Sequence, residues 1–319
     1  MTLVFPSLSL PQLKPDLSPE REENESSDEE FLEDFLSDDS DDDGENIFSA
    51  FCNIENVSVL QEETKWVYPK EDILARQLES IHHLFFSTGD WIFNLSFAYP
   101  ITNEILFQSI ALFRKYLASS PVSQPELQLY AATCVWIYVK MDHNVIDSLP
   151  LLIRCCHDKF TKADFIKAES QILSSVDYNF HPSTPFSTLY THIHLFNSLY
   201  KNEALFALSL FLSQCSLLFL DFCPIRPSLI SLCAVCLSGI LTNSSESPEF
   251  SAEFSKYSSE EILKCSKLII KAFSHILSKT NSGIYRKMKS AKSTNVESYF
   301  QDFNSTILFD QFSHKISNL

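Results

Sequence analysis

Leu127-Gln128-Leu129-Tyr130-Ala131-Ala132-Thr133-Cys134-Val135-Trp136-Ile137-Tyr138-Val139-Lys140 is the stretch on which the fold turns. From Glu126 to Lys140 the apolar positions Leu127, Tyr130, Ala131, Cys134 and Ile137 recur at steps of three and four, the period of one helical face. Lys140 closes that helix, where a cation complements the negative end of the helix dipole. Further on, Thr161 with Asp164 three residues later has the form of a capping box, and Phe165, Ala168, Ile172, Leu173 and Val176 follow as the packing stripe. Glu169 falls inside that stripe, so its carboxylate emerges on the packing face and requires a cationic or donor partner. Two readings stand from the residues alone. Either Glu169 bonds a backbone group or water at a rim and Lys140 is an unrelated solvated helix end, or the two charges act together.

The composition bounds the class. The chain has 319 residues, 45% of them hydrophobic, enough for one large or two ordinary helical domains. Between Met1 and Asn46 stand sixteen acidic and two basic residues, a charge of −14, which leaves only −3 of the total −17 for the other 273 residues. A nearly neutral body lacks the clustered Lys and Arg of a duplex-binding surface, so no nucleic-acid partner is expected. The basic run Tyr285 to Lys292 is short and reads as a solvated tail or a localisation signal. Only four glycines are present, which excludes glycine-rich phosphate loops and a strand-rich fold that turns on glycine. The nine cysteines lie in apolar helical contexts such as Cys134, Cys215 and Cys233 and read as reduced core residues of an intracellular protein. The start Met1 to Pro6 has neither a basic n-region nor a long apolar run, so neither a signal peptide nor a membrane partner is expected.

The acidic arm, residues 1–65, combines Pro, Ser and the run Asp38 to Asp43 and is expected to be disordered. Within it, Phe31 to Leu36 has the form of a short docking motif, and Ser26, Ser27, Ser37 and Ser40 precede acidic residues in a phosphorylation-like pattern. Helices are expected at Asp72 to Ile81 with Asp72 as cap, at about Leu84 to Phe97, and at Asn103 to Ala118. The central helix follows, then a short one opened by Asp147-Ser148-Leu149-Pro150, and the one after Thr161. A second set is expected at Thr184 to Asn197, Asn202 to Asp221, Pro227 to Leu241, Pro248 to Phe254 and Ser258 to Ser278.

These motifs resemble the cyclin box. Leu127-Gln128-Leu129, Ala131-Ala132-Thr133 and Ile137 to Lys140 look like the family's third helix, which ends in a lysine; Lys167-Ala168-Glu169, Ile172-Leu173 and Tyr178 to Pro185 look like its fifth helix and the link to a second fold. Pro227 to Ser231 and Tyr257 to Cys265 resemble the third and last helices of that second fold. The resemblance implies an all-α protein of two tandem five-helix cyclin folds behind a disordered acidic N-terminal arm, with a first box at 66–181 including its preceding helix, a second at 182–280 and a tail at 281–319. It implies a non-catalytic subunit that binds and activates a cyclin-dependent protein kinase in cell-cycle control, in the nucleus and cytoplasm, with no cofactor, metal or catalytic residue of its own. Lys140 and Glu169 inherit the grip on the kinase's regulatory helix, and Asp72 and Ile73, on the helix before the box, inherit a kinase contact.

Asp90-Trp91 resembles the end of the family's substrate-docking motif and Gln128 its groove glutamine, so Leu84, Trp91 and Gln128 line a groove for substrate or inhibitor docking peptides by resemblance. The chain departs from the motif there. Leu84 stands at its methionine position, Phe85 at its arginine, Thr88 at its later leucine and Asn94 at the acidic position that would receive a substrate arginine. Arg114-Lys115-Tyr116-Leu117 resembles the family's Asp-Arg-Phe-Leu with the aspartate lost, and Asp142 and His143 stand where two acidic residues are usual. Two rivals remain: a cyclin-fold adaptor in transcription that engages no kinase, and an enzyme with a cysteine nucleophile. Against the second, Cys233-Ala234-Val235-Cys236 lies in an apolar helix without further ligands, His192 and His194 fall on differing helical faces, and no nucleophile elbow is present.

Overall fold

The computed structural model describes residues 63–99, 101–141, 149–195, 203–246, 248–290, 299 and 304–317, and among them there is no strand. The expectations for the acidic arm before residue 63, and for Asp142 and His143, lie outside the described residues.

A short helix α1 (Lys70–Arg76) precedes five helices: α2 (Glu79–Leu95), α3 (Asn103–Ser119), α4 (Leu127–Val139), α5 (Leu149–Cys155) and α6 (Lys162–Ser175). Five more follow: α7 (Pro185–His194), α8 (Glu203–Ser216), α9 (Pro227–Leu241), α10 (Pro248–Phe254) and α11 (Ser259–Leu277). Two further helices, α12 (Gly283–Ser290) and α13 (Ser305–Ser317), close the chain.

The sequence period marks one apolar face on α4, yet its residues are buried nearly all round: Leu127 and every position from Leu129 to Val139 are buried, and only Gln128 is half-exposed. Such a helix is a hub, and α2, α3 and α6 pack around it. Helix α9 repeats the arrangement, buried continuously from Pro227 to Gly239 and surrounded by α7, α8, α11 and α13. Helix ends are set by local chemistry. Thr161 with Asp164 forms the expected capping box of α6, and Ser258 with Glu261 forms a second one at α11 that the sequence reading did not name. With glycine scarce, His157, Asp158, Asp177, Tyr178 and Asn243 take the left-handed conformation beyond helix ends.

The expected helix from Asp72 to Ile81 is broken. Gln77 and Leu78 are extended, α1 starts at Lys70 with Asp72 inside its first turn, and α2 begins at Glu79, five residues before the expected start. The cause is the Gln77 side chain. Its buried amide donates to the carbonyls of Leu117 and Ser120, both at 2.7 Å, and its oxygen accepts from the Val122 N–H at 2.9 Å, tying the break to the end of α3. The stretch beyond 280, read from sequence as a tail, contains packed structure: Ile284 and Met288 of α12 and Leu308, Phe312 and Ile316 of α13 are buried.

The segment before α1 lies across the second module. Glu63 is fully buried and accepts from the backbone N–H and hydroxyl of Ser228, at 2.6 and 2.8 Å, at the N-terminal end of α9. Tyr68 N–H donates to Cys223 O at 3.2 Å, and Lys70 pairs with Asp221 at 2.5 Å. From α3, Arg114 donates to the carbonyls of Ser216 and Phe219, and Phe107 stacks on Phe186.

Replacing Gln77 with Ala strands two carbonyls and one N–H in a buried place. Urea unfolding is expected to show a loss of about 2–4 kcal/mol, whereas the exposed Glu79→Ala control stays within about 0.5 kcal/mol. In α7, His192 is buried against the Ser231 hydroxyl, 2.7 Å from its Nδ1, and burial pushes its pKa down from 6.5 to about 3. The folded state therefore binds fewer protons than the unfolded one between those values, so the stability this residue contributes is present above 6.5 and lost as pH falls towards 3. His192→Asn is expected to flatten the pH dependence of unfolding in that window by about 1.4 kcal/mol per pH unit.

Candidate functional site

Lys140 caps the C-terminal end of α4, its N–H donating to the Trp136 and Tyr138 carbonyls, and it is the first exposed residue after the buried run. Its ammonium lies 3.9 Å from the centroid of the Trp136 ring and is ion-paired to the Glu169 carboxylate of α6. The structure thus brings together two charges separated by 29 residues. The pair stands on a surface ledge, with the lysine side chain 37% and the glutamate side chain 21% exposed.

Rigid packing underlies the ledge. Trp136 meets Phe165 edge to face at 6.1 Å, the Tyr130 hydroxyl donates to Gln171 at 2.9 Å, and the Tyr138 hydroxyl donates to Phe180 O at 2.6 Å. These contacts fix the α4–α6 spacing, so the lysine stem lies over an aromatic face while its head remains in contact with water. Exposed apolar side chains flank the charges: Ile166, 50% exposed and three residues before Glu169, and Met141, 46% exposed. Three residues apart, Ile166 and Glu169 share a helix face. The sequence reading missed both apolar residues. The available signal was Ile166 beside Phe165, an apolar residue that falls off the 165–168–172 stripe.

The remaining expected kinase contacts divide. Asp72 is exposed on α1, but Ile73 is 1% exposed and belongs to the core, so its side chain offers no surface to a partner. Of the expected groove residues, Leu84 and Gln128 are half-buried, whereas Trp91 is only 4% exposed and packs inward as core. The neighbouring positions on α2 are engaged by the chain's own α12. Both carboxylate oxygens of Asp90 accept from its first N–H groups, Gly283 at 2.9 Å and Ile284 at 3.1 Å, and Arg286 donates to Asn94 while lying over the Phe97 ring. Burial raises the Asp90 pKa, and the two N–H donors oppose that shift in part. Gly283 permits this approach, since a Cβ there would lie 2.6 Å from Asp90 O and 2.8 Å from the Asn94 side chain.

Among the described residues no group of three or more His, Cys, Asp or Glu side chains is placed to hold a metal, and no helix is long and apolar enough to cross a membrane. All eight described cysteines are buried. Burial pushes the thiols of Cys134, Cys215 and Cys233 well above their ordinary pKa, the opposite of what nucleophilic catalysis requires.

Two tandem all-helical modules, each around a buried central helix, define the fold class, and the comparisons agree with it. The family model for the cyclin N-terminal domain matches residues 55–181 and that for the cyclin C-terminal domain matches 185–302. The chain belongs to the cyclin family. It is 23% identical to cyclin-B2-2 of Oryza sativa subsp. indica over 199 residues (62% of this chain, 47% of that protein). It is 25% identical to the G2/mitotic-specific cyclin-B of Patella vulgata over 189 residues (57% and 45%), and 24% identical to cyclin-A1 of Homo sapiens over 225 residues (70% and 48%). The chain spans about half the length of these relatives. The fold is similar to that of a viral cyclin from herpesvirus saimiri, with TM-score 0.56 at 16% identity, covering 70% of this chain and 98% of that one. It is also similar to a chain of the yeast RNA Pol II CTD kinase CTDK-1 complex, with TM-score 0.56 at 10% identity, covering 76% and 87%.

An exposed ion pair contributes about 0–1 kcal/mol to folding. Lys140→Ala and Glu169→Ala are therefore each expected to leave the thermal midpoint within about 2–3 °C of the parent, as differential scanning calorimetry would measure.

Proposed function

We propose that this chain is a non-catalytic regulatory subunit that binds a cyclin-dependent protein kinase and activates it in cell-cycle control, in the nucleus and cytoplasm. The observation that carries this reading is the Lys140–Glu169 pair, held on a rigid exposed ledge and flanked by exposed Ile166 and Met141. An ammonium and a carboxylate side by side can each exchange their mutual contact for a helix that presents backbone carbonyls, N–H groups or side chains of opposite charge. The exposed apolar neighbours add the desolvated area that polar contacts alone do not supply. The likeness to A- and B-type cyclins supports the cell-cycle assignment, and the fold shared with a chain of a kinase complex supports a kinase as partner. Asp72, exposed on α1, extends the kinase-facing surface.

Activation follows from differential binding. A subunit that contacts the active arrangement of the kinase better than the inactive one shifts that equilibrium by the difference in affinity alone. Moving it from 1:99 to 99:1 requires about 5.5 kcal/mol. Phosphoryl transfer stays in the kinase, and this chain supplies a surface.

The test is to purify the tagged chain from cells, identify the co-purifying kinase, and measure its affinity and activity with the parent, Lys140→Ala and Glu169→Ala. Removing either charge leaves its partner unpaired at the interface, so binding is expected to weaken by about 2–5 kcal/mol, or about 30-fold to several thousand-fold. Parent-like kinase binding by both variants would refute the grip. Recovery of a stable partner without any kinase would favour the adaptor reading instead.

A further inference from the structure

Between the two modules lies a cavity of about 40 Å³, lined by residues from four separate parts of the chain: Trp66 and Tyr68 before α1, Arg114 on α3, Ser183 in the link between modules, and Cys223 before α9. A single water needs about 10–15 Å³ of such space, so the cavity accommodates an occupant of one to a few atoms. Its polar lining includes Tyr68, Thr184 and Cys223 together with three groups left over. Trp66 Nε1, Arg114 Nε and Ser183 Oγ are all buried, and none has a hydrogen-bond partner among the described residues. Trp66 and Arg114 are each only 8% exposed, and the first two of the three groups can only donate.

The charge balance points the same way. The guanidinium of Arg114 has given its Nη2 protons to the carbonyls of Ser216 and Phe219 and lies 5.6 Å from the centroid of the Phe85 ring; among the described residues no carboxylate pairs with it. The carbonyl oxygens and the ring face compensate one side of this cation, while its Nε–H and the two further unpaired donors leave the other side to an acceptor or an anion. Both Arg114 and Phe85 stand where the sequence departs from the family pattern, and the two departures touch each other.

We propose that this cavity is a binding site for a small monovalent inorganic anion of halide size, held by Trp66 Nε1–H, Arg114 Nε–H and Ser183 Oγ–H, and that the anion staples the leading segment, the link and both modules together. This inference goes beyond the kinase reading and does not depend on it. A ligand that binds the folded chain and not the unfolded one raises stability with its concentration, and the increment grows with the logarithm of ligand over Kd.

Bromide is the probe, because it scatters anomalously and fits where chloride fits. Crystals of the full chain soaked in sodium bromide are expected to show an anomalous peak in the cavity within hydrogen-bond distance of the three donors. In solution, the unfolding midpoint is expected to rise with sodium bromide above its value in sodium gluconate of equal ionic strength, gluconate being too large for the cavity. Arg114→Gln removes the charge but also the contacts to Ser216 and Phe219, so two milder variants carry the test. Trp66→Phe and Ser183→Ala each delete one donor, and each is expected to weaken the bromide dependence about tenfold; Ser183→Ala keeps the gluconate midpoint near the parent's, whereas Trp66→Phe lowers it through lost core packing and is read from the difference between bromide and gluconate. Bromide found only at the surface with water in the cavity, or equal midpoints in bromide and gluconate, would overturn the proposal.

Discussion

Helices α4 and α9 have no face turned to solvent, and this constraint arranges everything else. A helix that is apolar all round satisfies its own backbone but needs other helices on every side, so each becomes the axis of a module. Burying a large aliphatic or aromatic side chain contributes about 1.5–3 kcal/mol, whereas an exposed ion pair contributes about 0–1 kcal/mol. The buried run of α4 thus outweighs the Lys140–Glu169 pair many times over in holding the molecule together. The core fixes where α4 ends, and the charges at its end carry little of the folding energy.

The same core explains how two modules become one body. Polar groups at the junction, buried in the case of Glu63 and Arg114 and half-exposed in the case of Lys70 and Asp221, each reach across it. Glu63 holds the start of α9, Arg114 reaches from α3 to the carbonyls after α8, and Lys70 pairs with Asp221. Such contacts are costly to leave half-made, which favours one mutual arrangement of the modules over many. The junction is therefore specified by polar geometry added to apolar contacts such as Phe107 on Phe186, while the modules themselves are specified by apolar packing.

Much of this was legible in the sequence because its signals were local. The capping box at Thr161 and the Pro at the start of α9 set helix ends through contacts within four residues. Juxtaposing Lys140 and Glu169 needed the family resemblance, because a separation of 29 residues has no local signature. What could not be read depended on distant partners. The break at Gln77 exists because Leu117, Ser120 and Val122 present groups for its amide, and Ile73 is core because α1 folds against α3. Periodicity likewise marked a single stripe on α4, since the positions between the stripe residues are also apolar and their burial is decided by neighbours elsewhere in the chain.

The departures from the family pattern compensate one another within the chain. Phe85 and Arg114 meet as ring and cation. Asn94, at the position that by resemblance would receive a substrate arginine, already receives Arg286, and Asp90 beside it caps the helix that carries that arginine. A tethered guanidinium competes with any free basic ligand at an effective concentration on the order of millimolar. A docking peptide that relied on an arginine at this place would have to displace α12, whose Ile284 and Met288 are buried, before gaining a contact. Among the described residues, the Asn94 end of α2 is thus occupied by the chain's own Arg286, whereas Lys140 and Glu169 at the end of α4 meet each other and retain exposed surface.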